Sequence, residues 1–144
     1  MENNLDELAE KLQREILDEA RRNYSETVID HWMKPRSRGI LSDNDGYGKI
    51  TGSCGDTMEI CFKIKDGKII DAGFNTDGCG TTIACGSMVT ELILSKSLTE
   101  ARGITQETVL KAVGGLPEAN RHCALLAANT LYEAIKNFEQ KKEE

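Results

Sequence analysis

The chain is poor in the features that mark membrane, secreted and nucleic-acid-binding proteins. Its 144 residues contain no apolar run approaching the roughly 20 residues that cross a bilayer. The acidic N-terminus lacks the apolar segment of a secretory signal. The net charge is −6 and no Lys/Arg-rich stripe with interleaved aromatics is present, which argues against broad binding to nucleic acid. These absences predict a cytoplasmic protein with neither a membrane nor a nucleic-acid partner.

Aromatic residues and paired cysteines are scarce as well. Three Phe, three Tyr and one Trp leave the core to depend on Leu, Ile, Val, Met and Ala. The five cysteines include no Cys-x-x-Cys pair, so the signatures of zinc ribbons and thioredoxin-like proteins are absent. In a reducing compartment these cysteines are expected to be thiols, thiolates or metal ligands rather than structural disulfides.

The length predicts one domain with one attached element. Residues 1–22 form that element, because they are highly charged and carry apolar residues at helical spacing, which predicts an amphipathic helical extension. This leucine stripe consists of Leu5, Leu8, Leu12 and Ile16. We predict that the stripe packs against the rest of the chain; a dimer seam is the alternative. Residues 23–144 form the domain proper, which opens with a second helix capped by Ser25 and ended by Pro35.

Alternating apolar and polar side chains over residues 57–65 predict a half-buried strand, and an Asp-Gly pair directly after it predicts a hairpin. A three-residue loop that places Phe62 opposite Ile70 keeps one apolar face, so we predict this register. A two-residue loop would place Phe62 opposite Asp71, which is a poor match. Residues 48–53 are predicted to add a third strand.

The second half of the chain shows helical patterns. The predicted helices cover residues 81–95, 99–101, 105–113 and 122–138, and the charged tail 139–144 is expected to fray. The order of elements predicts an α+β fold, in which a three-stranded antiparallel sheet packs against helices and an extra helix precedes it.

Three cysteines share a local context. Cys54 lies just before the alternating strand, Cys79 lies between the last strand and a helix, and Cys123 lies where the last helix begins. Element ends can converge on one edge of a fold, and a helix N-terminus favours the thiolate that binds metal or attacks sulfur. Glycines beside Cys54 and Cys79 allow backbone N–H groups to approach the sulfur atoms of a metal centre.

Asp56 and His122 place an oxygen and a nitrogen ligand beside two of these cysteines. Three cysteines with one such ligand suit tetrahedral Zn²⁺ or the irons of a [2Fe–2S] cluster. A mixed set of this kind, spread over separate segments, favours a cluster that is held weakly and given away. The other two cysteines, Cys61 and Cys85, are predicted to be buried core thiols.

These motifs resemble those of the U-type iron–sulfur assembly scaffolds, the family of IscU and of the N-terminal domain of NifU. The resemblance covers about residues 22–138. The matching segments are Tyr24-Ser25-Glu26, Val28-Ile29-Asp30-His31, Pro35-Arg36 with Gly39, Cys54-Gly55-Asp56, Gly78-Cys79-Gly80 and His122-Cys123.

The resemblance implies an IscU/SufE-like fold and a scaffold, rather than a turnover enzyme, that assembles [2Fe–2S] clusters from iron and sulfide. Cys123 matches the acceptor of persulfide sulfur from a cysteine desulfurase, and Cys54 and Cys79 match the other cluster cysteines. Asp56 matches the aspartate that tunes cluster lability, and His122 matches an alternative fourth ligand. A ferredoxin-like donor supplies electrons, apo-proteins receive the cluster, and two scaffolds meeting at their cluster edges can combine two clusters into [4Fe–4S].

One departure from the family pattern lies in the segment before the His-Cys pair. The family often carries Leu-Pro-Pro-Val-Lys before its His-Cys pair, a segment read by an Hsp70-type chaperone. Here the segment is Leu116-Pro117-Glu118-Ala119-Asn120-Arg121, which leaves chaperone recognition open. The first alternative function is a zinc-dependent sulfurtransferase, in which the same site holds Zn²⁺ and relays sulfur from a desulfurase with no cluster. The family's apo scaffolds also take up zinc, so bound zinc alone does not separate the two functions. The second is a structural zinc module that binds a partner protein.

Overall fold

The computed structural model describes residues 2–143, without the side chains of residues 2, 3 and 143. A short 3₁₀ turn at Glu118–Asn120 precedes the last helix. The elements are α1 (Glu2–Asn23), α2 (Glu26–Met33), β1 (Gly46–Thr51), β2 (Thr57–Lys65), β3 (Lys68–Thr76), α3 (Gly80–Ile93), α4 (Leu98–Arg102), α5 (Gln106–Ala112) and α6 (Arg121–Glu143). The predicted α+β class is confirmed. Among the helices that the structure describes, none combines the length and the apolar character needed to span a membrane.

The three strands form one antiparallel sheet in the order β1-β2-β3. The hairpin between β2 and β3 has a two-residue turn, Asp66-Gly67, with positive φ at both residues, as Asp-Gly favours. The predicted register is wrong: Phe62 lies opposite Ala72, and the pairing shifts at Lys63/Ile64. A β-bulge at Ile70 absorbs one extra residue of β3, so Ile70 is exposed. Because of the bulge, β2 and β3 share one apolar face although the turn between them has only two residues.

The core lies between the sheet and the helices α3 and α6. The inward face of the sheet contributes Met58, Ile60, Phe62 and Phe74, all fully buried. Helix α6 crosses β1 so closely that a Cβ at Gly48 would lie 2.7 Å from the carbonyl oxygen of Thr130. Helix α6 also runs further than the predicted end at residue 138, to Glu143, and fraying of this charged tail stays a prediction.

The first helix contributes little to this core. Among the α1 side chains that the structure describes, Ala20 in the last turn is the one that is buried. The leucine stripe is exposed, at 71% for Leu5, 53% for Leu8, 50% for Leu12 and 60% for Ile16. The prediction that the stripe packs against the rest of the chain is therefore wrong, and the dimer seam stays a prediction. The division into an extension, 1–22, and a domain, 23–144, is kept as a proposal.

The topology brings several element ends to one edge of the sheet. Thr51 at the end of β1 pairs with Thr57 at the start of β2, and Met58 pairs with Thr76 at the end of β3. Helix α3 starts four residues after Thr76, and its N-terminal turn contacts that of α6 through the side chains of Thr81 and Cys123. The predicted cysteines all lie in or beside these ends.

Candidate metal centre

Cys54 and Asp56 lie in a tight loop between β1 and β2. The loop is closed by hydrogen bonds from the Gly52 N–H to the Asp56 carbonyl (2.8 Å) and from the Gly55 N–H to the Gly52 carbonyl (3.0 Å). Gly55 has φ +92°, a conformation that favours glycine. The loop leaves Cys54 exposed and directs the Asp56 carboxylate towards the start of α3, where it contacts Thr82.

Cys79 is the N-cap residue of α3 and is exposed. Its sulfur lies 3.3 Å from the Thr81 hydroxyl and 3.9 Å from the Thr82 hydroxyl. Burial alone would raise the pKa of Cys79, but the Thr81 hydroxyl and the backbone N–H groups of Thr82 and Thr81 outweigh that effect and lower the pKa. The helix N-terminus therefore favours the thiolate at Cys79, as the sequence predicts.

Cys123 lies in the first turn of α6 and is only 1% exposed. Its sulfur is 3.4 Å from the Thr81 hydroxyl, 3.3 Å from the Thr82 hydroxyl and 3.7 Å from Nε2 of His122. Burial raises the pKa of the Cys123 thiol, and the two threonine hydroxyls offset part of that rise. Cys123 is thus a buried thiol among polar partners, whereas Cys79 is an exposed one.

Two threonine hydroxyls connect the candidate ligands. Thr82 donates to Oδ2 of Asp56 at 3.1 Å while lying beside Cys123, and Thr81 lies between Cys79 and Cys123. Sequence reasoning missed both threonines. The signal was available, since they follow Cys79 by two and three residues in the first turn of a helix, where side chains share the space next to the N-cap residue.

The remaining two candidates, Cys54 and His122, line a neighbouring groove of about 270 Å³ between the β1–β2 loop and α6. The predicted residues thus border one edge in two adjoining sets, one around the threonines and one in the groove. Among the side chains of residues 4–142, no three His, Cys, Asp or Glu are close enough together to hold a metal ion as they stand. The thiols, carboxylate and imidazole suit iron or zinc, but binding one metal centre requires these side chains to come closer together. The five-residue ligand set stays a prediction.

Cys61 and Cys85 lie outside this edge set. Both are fully buried, and burial raises the pKa of each thiol. The sulfur of Cys61 accepts a hydrogen bond from the Leu41 N–H at 3.3 Å. Their predicted role as core thiols is confirmed.

We expect Cys79 to be alkylated faster than the buried cysteines when the metal-free protein is treated with iodoacetamide. It is exposed and its pKa is lowered, so it keeps thiolate as the pH falls. Cys123 has a raised pKa and is buried, so its reaction should be on the order of tenfold slower or more and should move to higher pH. Peptide mass spectrometry at several pH values measures both rates. Alkylation of Cys85 or Cys123 as fast as that of Cys79 would contradict the arrangement.

The chain resembles known proteins over most of its length. Residues 23–144 match the family model described as the NifU-like N-terminal domain. The chain is 44% identical over 119 residues to iron-sulfur cluster assembly scaffold protein IscU 1 of Archaeoglobus fulgidus, covering 82% of this chain and 78% of the relative. It is 41% identical over 125 residues to iron-sulfur cluster assembly scaffold protein IscU of Escherichia coli, covering 83% of this chain and 97% of the relative.

A solved structure supports the fold. The N-terminal NifU-like protein from Brucella abortus superposes with a TM-score of 0.63 at 20% identity, covering 81% of this chain and 94% of that one. The matched family region begins at residue 23, the last residue of α1. The chain therefore belongs to the NifU-like N-terminal domain family, which agrees with the resemblance inferred from its cysteine motifs.

Proposed function

We propose that this protein is a scaffold on which [2Fe–2S] clusters are assembled and from which they are transferred to apo-proteins. The observation that carries the proposal is the convergence of Asp56, Cys79 and Cys123 on two threonine hydroxyls at one edge of the fold. Cys54 and His122 lie in the adjoining groove. The relatives named as cluster assembly scaffolds support the same function.

Cys123 is the proposed acceptor of sulfur from a cysteine desulfurase. Its thiolate attacks the terminal sulfur of the desulfurase persulfide, the S–S bond breaks, and the desulfurase cysteine leaves as a thiolate. Because Cys123 is 1% exposed, this transfer requires a local opening.

Cys54, Cys79 and Cys123 are the proposed cluster ligands, with Asp56 or His122 as the fourth. Asp56 reaches Cys123 through the Thr82 hydroxyl, whereas Nε2 of His122 lies 3.7 Å from the Cys123 sulfur. Cys54 and Cys79 are exposed at the edge, where cluster transfer, or contact with a second copy that combines two clusters into [4Fe–4S], would occur. The proposal also includes a ferredoxin-like donor that supplies electrons, and a cytoplasmic location. In this proposal the protein acts as a scaffold rather than as a turnover enzyme.

Anaerobic reconstitution with iron and sulfide tests this function. We expect the wild-type protein and a Cys61→Ala control to become coloured and to bind iron, because Cys61 is a core thiol away from the edge. A Cys79→Ser variant is expected to lose most of the bound iron, because a serine hydroxyl is a far poorer ligand for iron than a thiolate. Iron and sulfide analysis with absorption spectra measures the difference.

Iron uptake by Cys79→Ser equal to that of the wild type would refute the ligand assignment. If zinc stays tightly bound, no cluster forms and desulfurase turnover is faster, the result would instead favour the zinc-dependent sulfurtransferase.

A further inference from the structure

Thr82 is a fully buried polar residue at the edge that the assembly function leaves without a role. We propose that its hydroxyl positions the Asp56 carboxylate beside Cys123, so that the two can bind the same metal. This inference rests on the proposed function. It makes Thr82 a positioning residue that acts through Asp56 and is not itself a ligand.

The geometry makes Thr82 the direct link between the two groups. Its hydroxyl donates to Oδ2 of Asp56 at 3.1 Å and lies 3.3 Å from the sulfur of Cys123. Thr81 makes a different set of contacts: its hydroxyl lies near both Cys79 and Cys123 and accepts from Asn120 at 3.4 Å. Thr82 is thus the threonine of this pair that holds the carboxylate.

Thr82 is itself held in place by its surroundings. It lies in the first turn of α3 with a stiff, β-branched side chain. Gly78 packs against it so closely that a Cβ at residue 78 would lie 2.7 Å from both Cβ and Cγ2 of Thr82. The absence of a side chain at Gly78 therefore makes the room that Thr82 occupies. A hydroxyl fixed in this way can orient a carboxylate that lies on a loop.

The chemical consequence concerns how the carboxylate meets a metal. Because Thr82 engages Oδ2, Oδ1 of Asp56 is available to bind the metal. The hydrogen bond already orients the loop that carries Asp56, so the loop loses less conformational freedom when the metal binds. Hydrogen-bond partners of ligating carboxylates typically contribute 10–100-fold in metal affinity, by fixing ligand orientation. Removal of the Thr82 hydroxyl is therefore expected to weaken metal binding about tenfold.

The test is an anaerobic Co²⁺ titration of the metal-free protein, followed by its thiolate-to-metal and d–d absorption bands. Thr82→Val removes the hydroxyl and keeps the shape, and we expect about tenfold weaker binding with altered d–d bands. Thr82→Ser keeps the hydroxyl and should restore both affinity and spectrum. Thr90→Val is the matched control, because Thr90 is also fully buried on α3 but donates to the Ser87 carbonyl at 2.7 Å. Should Thr82→Val fail to fold, Thr82→Ala provides the same comparison.

A double-mutant cycle with Asp56→Ala shows whether Thr82 acts through the carboxylate. We expect Thr82→Val to have no further effect in the Asp56→Ala background. Co²⁺ binding by Thr82→Val that matches the wild type, or an undiminished effect without Asp56, would overturn this inference and leave the proposed function standing. Failure of the wild-type protein to bind Co²⁺ through its cysteines would overturn both.

Discussion

A Cys123→Ser variant is expected to accept no persulfide sulfur when incubated with a cysteine desulfurase and cysteine. Cys123 is the candidate whose sulfur contacts both threonine hydroxyls and the His122 imidazole, at 3.3 to 3.7 Å. Those polar partners can stabilise the thiolate and the persulfide once the site opens. Intact mass measured under non-reducing conditions should show the added sulfur in the wild type and only background addition in the variant.

Three of the other cysteines serve as controls for this variant. Cys85→Ala removes a thiol that is fully buried on the neighbouring helix α3, and persulfide formation should be unchanged. In the Cys123→Ser protein, Cys54 and Cys79 remain exposed. This variant therefore tests whether exposure of a cysteine is enough for it to accept persulfide sulfur. Persulfide on either of these residues at the wild-type level, located by peptide mapping, would show that Cys123 is not the acceptor.

A Gly48→Ala variant is expected to lose more than about 3 kcal/mol of its free energy of unfolding. A Cβ at Gly48 would overlap the backbone nitrogen of Ala134 and lie 2.7 Å from the Thr130 carbonyl oxygen. These atoms belong to the backbone of α6 and cannot rotate away, so β1 and α6 must separate. Because a typical domain is stable by only about 5–15 kcal/mol, the loss is a large part of the total.

Gly52→Ala is the matched control, because a Cβ at this residue, directly after β1, meets the flexible side chain of Leu126 at 3.4 Å and the Asp56 carbonyl oxygen at 3.7 Å, an ordinary contact distance. Its free energy of unfolding should stay within about 1 kcal/mol of the wild type, since alanine also reduces the entropy of the unfolded chain. Urea denaturation followed by circular dichroism measures both variants. Equal stability of Gly48→Ala and Gly52→Ala would mean that β1 and α6 do not approach as described.

The fold could be predicted where local patterns determine it. Alternation over β2 and the cap at Ser25, which accepts a hydrogen bond from the Val28 N–H at 3.1 Å, are signals contained within a few residues. The hairpin register could not be predicted in this way, because the β-bulge at Ile70 depends on how the sheet packs against the helices. The exposure of the α1 stripe is likewise a tertiary property, since the same pattern suits a core face or a seam.

For the site, it could be predicted from the sequence that the candidate cysteines share one edge of the fold. Cys54, Cys79 and Cys123 lie at the ends of elements that are neighbours in the sheet and in the helix layer, which sequence order and element type already indicate. That Cys123 is buried while Cys79 is exposed could not be predicted, because it depends on how α3 and α6 pack at their N-termini. The same packing places the hydroxyls of Thr81 and Thr82 among the candidate ligands.

The proposed function depends on this edge holding an iron–sulfur cluster. Mössbauer spectroscopy of the iron-57-labelled protein, purified anaerobically and compared with Asp56→Ala, tests that claim most directly. We predict the diamagnetic spectrum of a coupled diferric [2Fe–2S] centre in the wild type, and in Asp56→Ala a change at one of its two iron sites if Asp56 is the fourth ligand. Only mononuclear iron in the wild-type spectrum, or a spectrum without cluster iron in a sample whose elemental analysis finds zinc instead, would contradict it.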